Sequence, residues 1–135
     1  MPKKIFVNLP VNNLQKSIDF FTTVGFTFNP QFTDENATCM IISDEINVML
    51  LTHKHFSSFV KKPIADATQT AEMILAVQVE SKEKVDDYVQ KAVAAGAKTP
   101  MADQDYGWMY SKGFEDLDGH LWEVFWMDEK AMPRK

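Results

Sequence analysis

Cysteine is nearly absent from this chain. Cys39 is the one cysteine among 135 residues, so no disulfide can form within the chain, and a lone thiol fits a reducing cytoplasm. No His, Lys or Arg stands beside Cys39 in sequence to lower its pKa, which argues against a nucleophilic role. Basic clusters are also missing. Lys and Arg number 14 against 19 Asp and Glu, for a net charge of −5, and outside the tail no basic run exceeds a dipeptide. Non-specific nucleic-acid binding needs a basic surface to displace counterions, so the charge balance argues against it and no nucleic-acid partner is expected. No apolar run approaches a membrane span and no signal-type apolar segment opens the chain, so neither a membrane partner nor secretion is expected. A Gly-rich phosphate loop, a CxxC pair and a nucleophile elbow are likewise absent. What remains is a chain with 45% apolar and 24% charged residues, long enough for one ordinary soluble domain with a core.

The most informative stretch present is residues 115–127, EDLDGHLWEVFWM. Asp118-Gly119 is a strong turn pair, and an alternating strand follows it. Leu121, Glu123, Phe125 and Met127 share one face of that strand, while His120, Trp122, Val124 and Trp126 share the other. Glu123 thus stands among apolar neighbours, where an unpaired carboxylate is expensive. A metal, a cation, a hydrogen-bond donor or water should meet it.

The rest of the chain falls into a repeat. Residues 5–11 read as a strand, and Asn12 or Asn13 can cap a helix whose apolar stripe is Leu14, Ile18, Phe21 and Val24, closed by Gly25. Short strands follow at 26–28, 37–42 and 46–51. Residues 53–60 are helical or irregular, and 61–70, with Pro63, form a linker. A strand at 72–79 then leads to a helix capped by Ser81, with the stripe Val85, Tyr88, Val89, Ala92 and Val93 and an end at Gly96. Strands at 97–101, 106–114 and 121–127 complete the second half. The order β-α-β-β-β therefore occurs twice, offset by about seventy residues. The reading is a single α+β domain over 1–135, with module 1 at about 3–60 and module 2 at about 71–128.

The opening VNLPVNNLQKSIDFFTTVGF, the middle AVQVESKEKVDDYVQKAVAAGA and the ending GFEDLDGHLWEVFWM resemble the vicinal oxygen chelate superfamily, which contains glyoxalase I, bleomycin and fosfomycin resistance proteins, and extradiol dioxygenases. That resemblance implies two βαβββ modules whose sheets form a cup, and a homodimer as the common assembly. Metal-using members draw ligands from four strand positions, which fall here at Phe6, Met49, Ile74 and Glu123. Divalent metals take N or O donors in such sites, and only Glu123 supplies one. Phe6, Met49 and Ile74 become apolar lining instead, so no cofactor is predicted. By the same resemblance the segment Tyr106-Gly107-Trp108-Met109-Tyr110 lines the cup, contributing either Trp108 and Tyr110 or Tyr106 and Met109 as ligand contacts. The histidines read as surface groups: His53 and His55 point apart if helical, and His120 lies beside a turn.

Two function classes follow. The first is a protein that binds a small, partly apolar molecule without metal, with Glu123 as a substrate anchor or as the acid/base of a metal-independent reaction. The chain's acidity suits a cationic ligand. The second is a metal-dependent glyoxalase-like lyase or isomerase, with a divalent ion polarising substrate oxygens. It would need ligands from Gln78, Glu72, Asn8 or the His53/His55 pair.

Overall fold

A computed structural model describes residues 1–133. It divides into two compact units, Met1–Asp66 and a second beginning at Ala67. The boundary falls inside the segment 61–70 read as a linker.

In the first unit, β1 (Ile5–Val11) is followed by α1 (Leu14–Val24), β2 (Thr27–Asn29), a 3-10 turn, β3 (Ala37–Ile41), β4 (Ile46–Thr52) and the short α2 (His53–Ser57). The sheet order is β1-β4-β3-β2, with β1 parallel to β4 and the other pairs antiparallel. Asn13 starts α1 by accepting the Lys16 backbone N–H at 3.0 Å, which satisfies one of the orphan donors of the first turn. The buried face of α1 is Ser17, Phe20, Phe21 and Val24, rotated from the predicted stripe, since Leu14 and Ile18 are only half-buried. Two consecutive phenylalanines account for the rotation. Their rings meet edge to face at 4.9 Å and 89°, and both bulky rings are buried only if the helix turns toward Phe20. α1 packs over β3 and β4, where Leu9, Leu50, Thr38, Val48 and Met40 fill two in-register rows. The buried Thr38 hydroxyl is satisfied by Thr33 at 2.8 Å.

The second unit repeats that plan with β5 (Ile74–Gln78), α3 (Lys82–Ala94), β6 (Gln104–Asp105), β7 (Met109–Glu115) and β8 (Leu121–Met127). Its order, β5-β8-β7-β6, matches the first sheet. The α+β reading with two βαβββ modules therefore stands. Ser81 caps α3 through the Lys84 N–H at 3.1 Å. Val85, Val89 and Ala92 are the buried residues of α3. Val93, placed in the predicted stripe, is instead 47% exposed.

Two strands differ from expectation. Residues 97–101 form no strand: Lys98 makes a single bridge to Glu115, and Pro100, lacking an N–H, cannot extend a ladder. The edge strand is the two-residue β6 further on. Residues 106–108 do not belong to β7 either. The Tyr106 N–H donates to the Met109 carbonyl at 2.8 Å, and Gly107, at φ +80°, gives its N–H to the Asp105 carboxylate at 2.9 Å. A turn sits where a continuous strand is predicted.

The β7–β8 connection is organised by Asp116, which is 6% exposed. One carboxylate oxygen accepts the N–H groups of Asp118 and His120, and the other accepts the Trp122 indole N–H at 3.0 Å. Gly119 completes the turn at φ +90°. A Cβ there would lie 2.6 Å from the backbone of Ala67 and Thr68, so this position needs glycine both for conformation and for space. Trp122 and Phe114 stack nearly parallel (6.2 Å, 6°) on the α3 side of the sheet. Among the described residues no helix is long and apolar enough to cross a membrane.

Candidate functional site

The register of the second sheet sorts its side chains onto two faces. One carries Leu75, Val77, Trp122, Val124, Phe114, Lys112 and Tyr110 and lies against α3. The other carries Glu123, and its rows can be read across the strands. The central row is Ala76–Glu123–Gly113. To one side lies Ile74–Leu121–Glu115, with Lys98 bridged beside Glu115. To the other side lies Gln78–Phe125–Ser111–Gln104, and beyond it Met127–Met109. The carboxylate is thus flanked by the two smallest side chains of its face. Glycine inside a strand marks close approach of another group, and here that group is Met101. Its terminal methyl lies 2.2 Å from where a Cβ on Gly113 would stand.

Glu123 is half-buried. No described residue donates a hydrogen bond or offers an ion pair to it. The carboxylate therefore depends on solvent or on a ligand, with Ile74, Leu121 and Phe125 as apolar neighbours and Glu115, Gln78 and Ser111 as polar ones on the same face. Glu115 is its diagonal neighbour, about 7 Å away by ordinary sheet geometry.

The first unit has a corresponding face. Its central row is Asn8–Met49–Cys39, and Phe6 lies in the row of Asn47 and Ile41. Phe6 and Ile74 therefore stand one row along from Met49 and Glu123, each on the same face of its sheet, and both are about half exposed, at 48% and 51%. Cys39 is 2% exposed. Its thiol contacts the Asn47 side-chain oxygen at 3.7 Å, and burial pushes its pKa up, which agrees with an inert thiol.

The four aromatic-segment residues are not brought together. Met109 is on the Glu123 face, two rows away. Tyr110 is on the opposite face, where its hydroxyl donates to Asp86 of α3 at 2.6 Å. That bond, and burial with it, raises the Tyr110 pKa. It belongs to a helix–sheet clamp and is withdrawn as a contact on the Glu123 face. Tyr106 and Trp108 sit in the β6–β7 turn with rings stacked at 6.3 Å and 23°, and Tyr106 is 58% exposed. The clamp also holds Lys112, 2.9 Å from Asp86. Lys82 lies over the rings of Tyr110 and Trp126 at 5.7 and 5.6 Å. The hydroxyl of Tyr110 and then the ammonium of Lys112 hold the Asp86 carboxyl below the usual range.

His53 and His55 lie on α2, with the His55 ring against Phe59 at 5.0 Å. The His120 backbone N–H serves the Asp116 turn.

Sequence reasoning missed Asp116, the Asp86 clamp, and the Met101–Gly113 contact. The spacing D-x-D-G could have indicated the first, since an Asp two residues before the turn Asp can fold back on the turn's N–H groups. An isolated glycine in β7 signalled the third. Nothing in sequence signals the second, because Asp86 and Tyr110 are 24 residues apart.

Residues 5–124 match the family described as Glyoxalase/Bleomycin resistance protein/Dioxygenase superfamily. The chain belongs to that superfamily. A similar solved structure is that of hypothetical protein SA1046 from S. aureus, at 29% identity and TM-score 0.77, covering 93% of this chain and 94% of the other. A glyoxalase/bleomycin resistance protein/dioxygenase family enzyme from Burkholderia phytofirmans is 18% identical with TM-score 0.74, over 91% and 97% of the two chains. The fosfomycin resistance protein FosX from Listeria monocytogenes is 19% identical with TM-score 0.68, over 100% and 96%. The last two likenesses concern the fold alone. The search of curated proteins found no match.

The donor set for the superfamily's metal can be tested against these faces. Of Phe6, Met49, Ile74 and Glu123, one carries an oxygen donor. Gln78 shares the Glu123 face but stands a row away, opposite Phe125. The Asn8 amide N–H donates to the Phe6 carbonyl at 3.2 Å. Glu72 precedes β5 and is exposed. Among the described residues no three His, Cys, Asp or Glu side chains gather as a ligand group. The donor chemistry at the four positions does not fit a divalent-ion shell.

Proposed function

We propose that this superfamily member binds a small, partly apolar molecule without a metal, and that Glu123 is its polar anchor. The observation that carries the proposal is the row Ala76–Glu123–Gly113. It combines one carboxylate, side chains too small to crowd it, and apolar residues in the rows on either side. A ligand seated there gains affinity from buried apolar area, and the carboxylate orients it. If the protein is an enzyme, Glu123 is the group in the central row that can move a proton. Members of the superfamily are often dimers, and we expect a homodimer here. The buried single thiol suits a reducing cytoplasm.

The test is metal content of untagged protein, followed by thermal unfolding with zinc, nickel, manganese or iron added back and with a fragment library. The expected result is no stoichiometric ion, no stabilisation by any metal, and stabilisation by partly apolar fragments that Glu123→Ala weakens. About one ion per chain, removed by chelator and lost in Glu123→Ala, would overturn the proposal and favour a metal-dependent lyase or isomerase.

A further inference from the structure

The binding reading leaves the ligand's chemistry open, and the second unit narrows it. Three observations converge on the central row of the Glu123 face. The carboxylate has no cation or donor partner among the described residues. Its diagonal neighbour is a second carboxylate, Glu115, so the face repels anions. Lys98 is the cation nearest in register, and it stands at the outer edge beyond Glu115, two strand positions and one row removed from Glu123. Beside Glu123, the space that a Cβ on Gly113 would take is filled by the tip of Met101. Met101 lies outside any strand or helix and is half-exposed. Its side chain is unbranched, with three rotatable bonds and a polarisable sulfur, so it can swing aside or wrap an aromatic ring. Replacing one wall of the row therefore needs side-chain rotation only, with no backbone movement.

Resting on the binding reading above, we propose that this row takes an organic cation, an ammonium carried on an aryl or branched alkyl body. The ammonium pairs with Glu123, the apolar body lies on Leu121 and Phe125, and Met101 is the movable wall over Gly113 that sets how large that body can be. Phe125 adds a ring face for the cation. The ligand's apolar body, laid on Leu121 and Phe125, partly screens the ion pair from water and strengthens it relative to a fully exposed one. Met101 is accordingly a specificity-determining residue, and Glu123 the charge-selecting one.

The test is a set of NMR titrations with four probes: tetramethylammonium, benzyltrimethylammonium, (1-naphthylmethyl)trimethylammonium and neutral benzyl alcohol. Each is added to the full chain as wild type, Glu123→Gln, Met101→Ala and Met101→Leu. Benzyltrimethylammonium should shift amides of β5, β7 and β8 and bind about tenfold or more tightly than benzyl alcohol, and Glu123→Gln should remove that advantage. Met101→Ala should favour the naphthyl cation over the benzyl one by several-fold. Met101→Leu, which keeps the volume but branches the side chain, should disfavour the naphthyl cation. Benzyl alcohol binding as well as the benzyl cation would overturn the proposal while leaving the binding reading intact. Equal size preference in the wild type and Met101→Ala would remove Met101 from it. Failure of every probe, together with failure of the fragment library, would overturn both.

Discussion

The two modules share one topology and solve the same problems with different chemistry. In the first, the β3–β4 connection is a short polar turn at residues 43–45, and the buried face of the helix is Phe20, Phe21 and Val24 with Ser17 beside them. In the second, the corresponding β7–β8 turn is built around a buried carboxylate. The helix is also fastened by Asp86 to both Tyr110 and Lys112. The central rows diverge too, with Asn8–Met49–Cys39 against Ala76–Glu123–Gly113. Strand order and register are thus compatible with either an amide-and-thioether row or a carboxylate row. The charged chemistry is concentrated in the second module, which has the shorter edge strand and the fewer buried apolar residues.

The largest test of that contrast concerns the first module's dependence on packing. Phe20→Ala should cost about 4 kcal/mol in chemical denaturation, because it empties a site that is 3% exposed. Ile18→Ala, on the predicted but half-buried position, should cost much less. Equal losses would restore the original stripe. Next comes the second module's turn. Asp116→Ala strands the Trp122 indole N–H and two backbone N–H groups, for a loss of about 3 kcal/mol. Asp44→Ala in the first module's turn should stay within about 0.5 kcal/mol. Gly119→Ala should cost about 2 kcal/mol, from its positive φ and the Ala67–Thr68 backbone against it, and a neutral result would show that this contact yields easily.

A smaller effect separates the two buried or clamped aspartates by pH. Hydrogen bonds from Tyr110 and then Lys112 depress the Asp86 pKa. Its contribution to stability is therefore complete above the ordinary Asp value of about 3.9 and is lost as pH falls through the lower native value. The stability difference between wild type and Asp86→Asn should close on acidification, as followed by circular dichroism. Burial raises the Asp116 pKa, against the pull of His120 and of its hydrogen bonds. Its effect has the opposite sign, with stability greatest below the ordinary value and declining as pH rises through the raised native one. The smallest effect belongs to the long ion pairs Lys82–Asp105 and Lys112–Asp103, at 3.9 and 3.8 Å. Both involve exposed partners, so Asp103→Asn or Asp105→Asn should change stability by only a few tenths of a kcal/mol, less in high salt.

The internal repeat, both helix caps and the face of Glu123 were legible because each rests on local pattern: alternation, capping side chains and glycine at helix ends. Phe20 was not, since choosing between adjacent phenylalanines depends on how the whole helix seats on β3 and β4. Sequence leaves open whether Trp108 and Tyr110 or Tyr106 and Met109 form one set, and the structure places Tyr110 on the α3 side with Asp86. The turn at Tyr106–Met109 makes alternation counted from Tyr106 uninformative. At the site, sequence indicated which carboxylate stands among apolar neighbours. Its row partners Ala76 and Gly113 emerge only from the strand pairing, which no single stretch encodes.

The bond from the Trp122 indole to Asp116 also makes the turn optically self-reporting. A carboxylate accepting the indole N–H stabilises the ring's excited state, whose dipole is larger than that of the ground state, and protonating or displacing that carboxylate alters the emission. Trp122 is 1% exposed and stacked on Phe114, so bulk solvent contributes little to its signal. A change in its emission would register what happens at Asp116, 3.0 Å from the indole nitrogen, without any label being introduced.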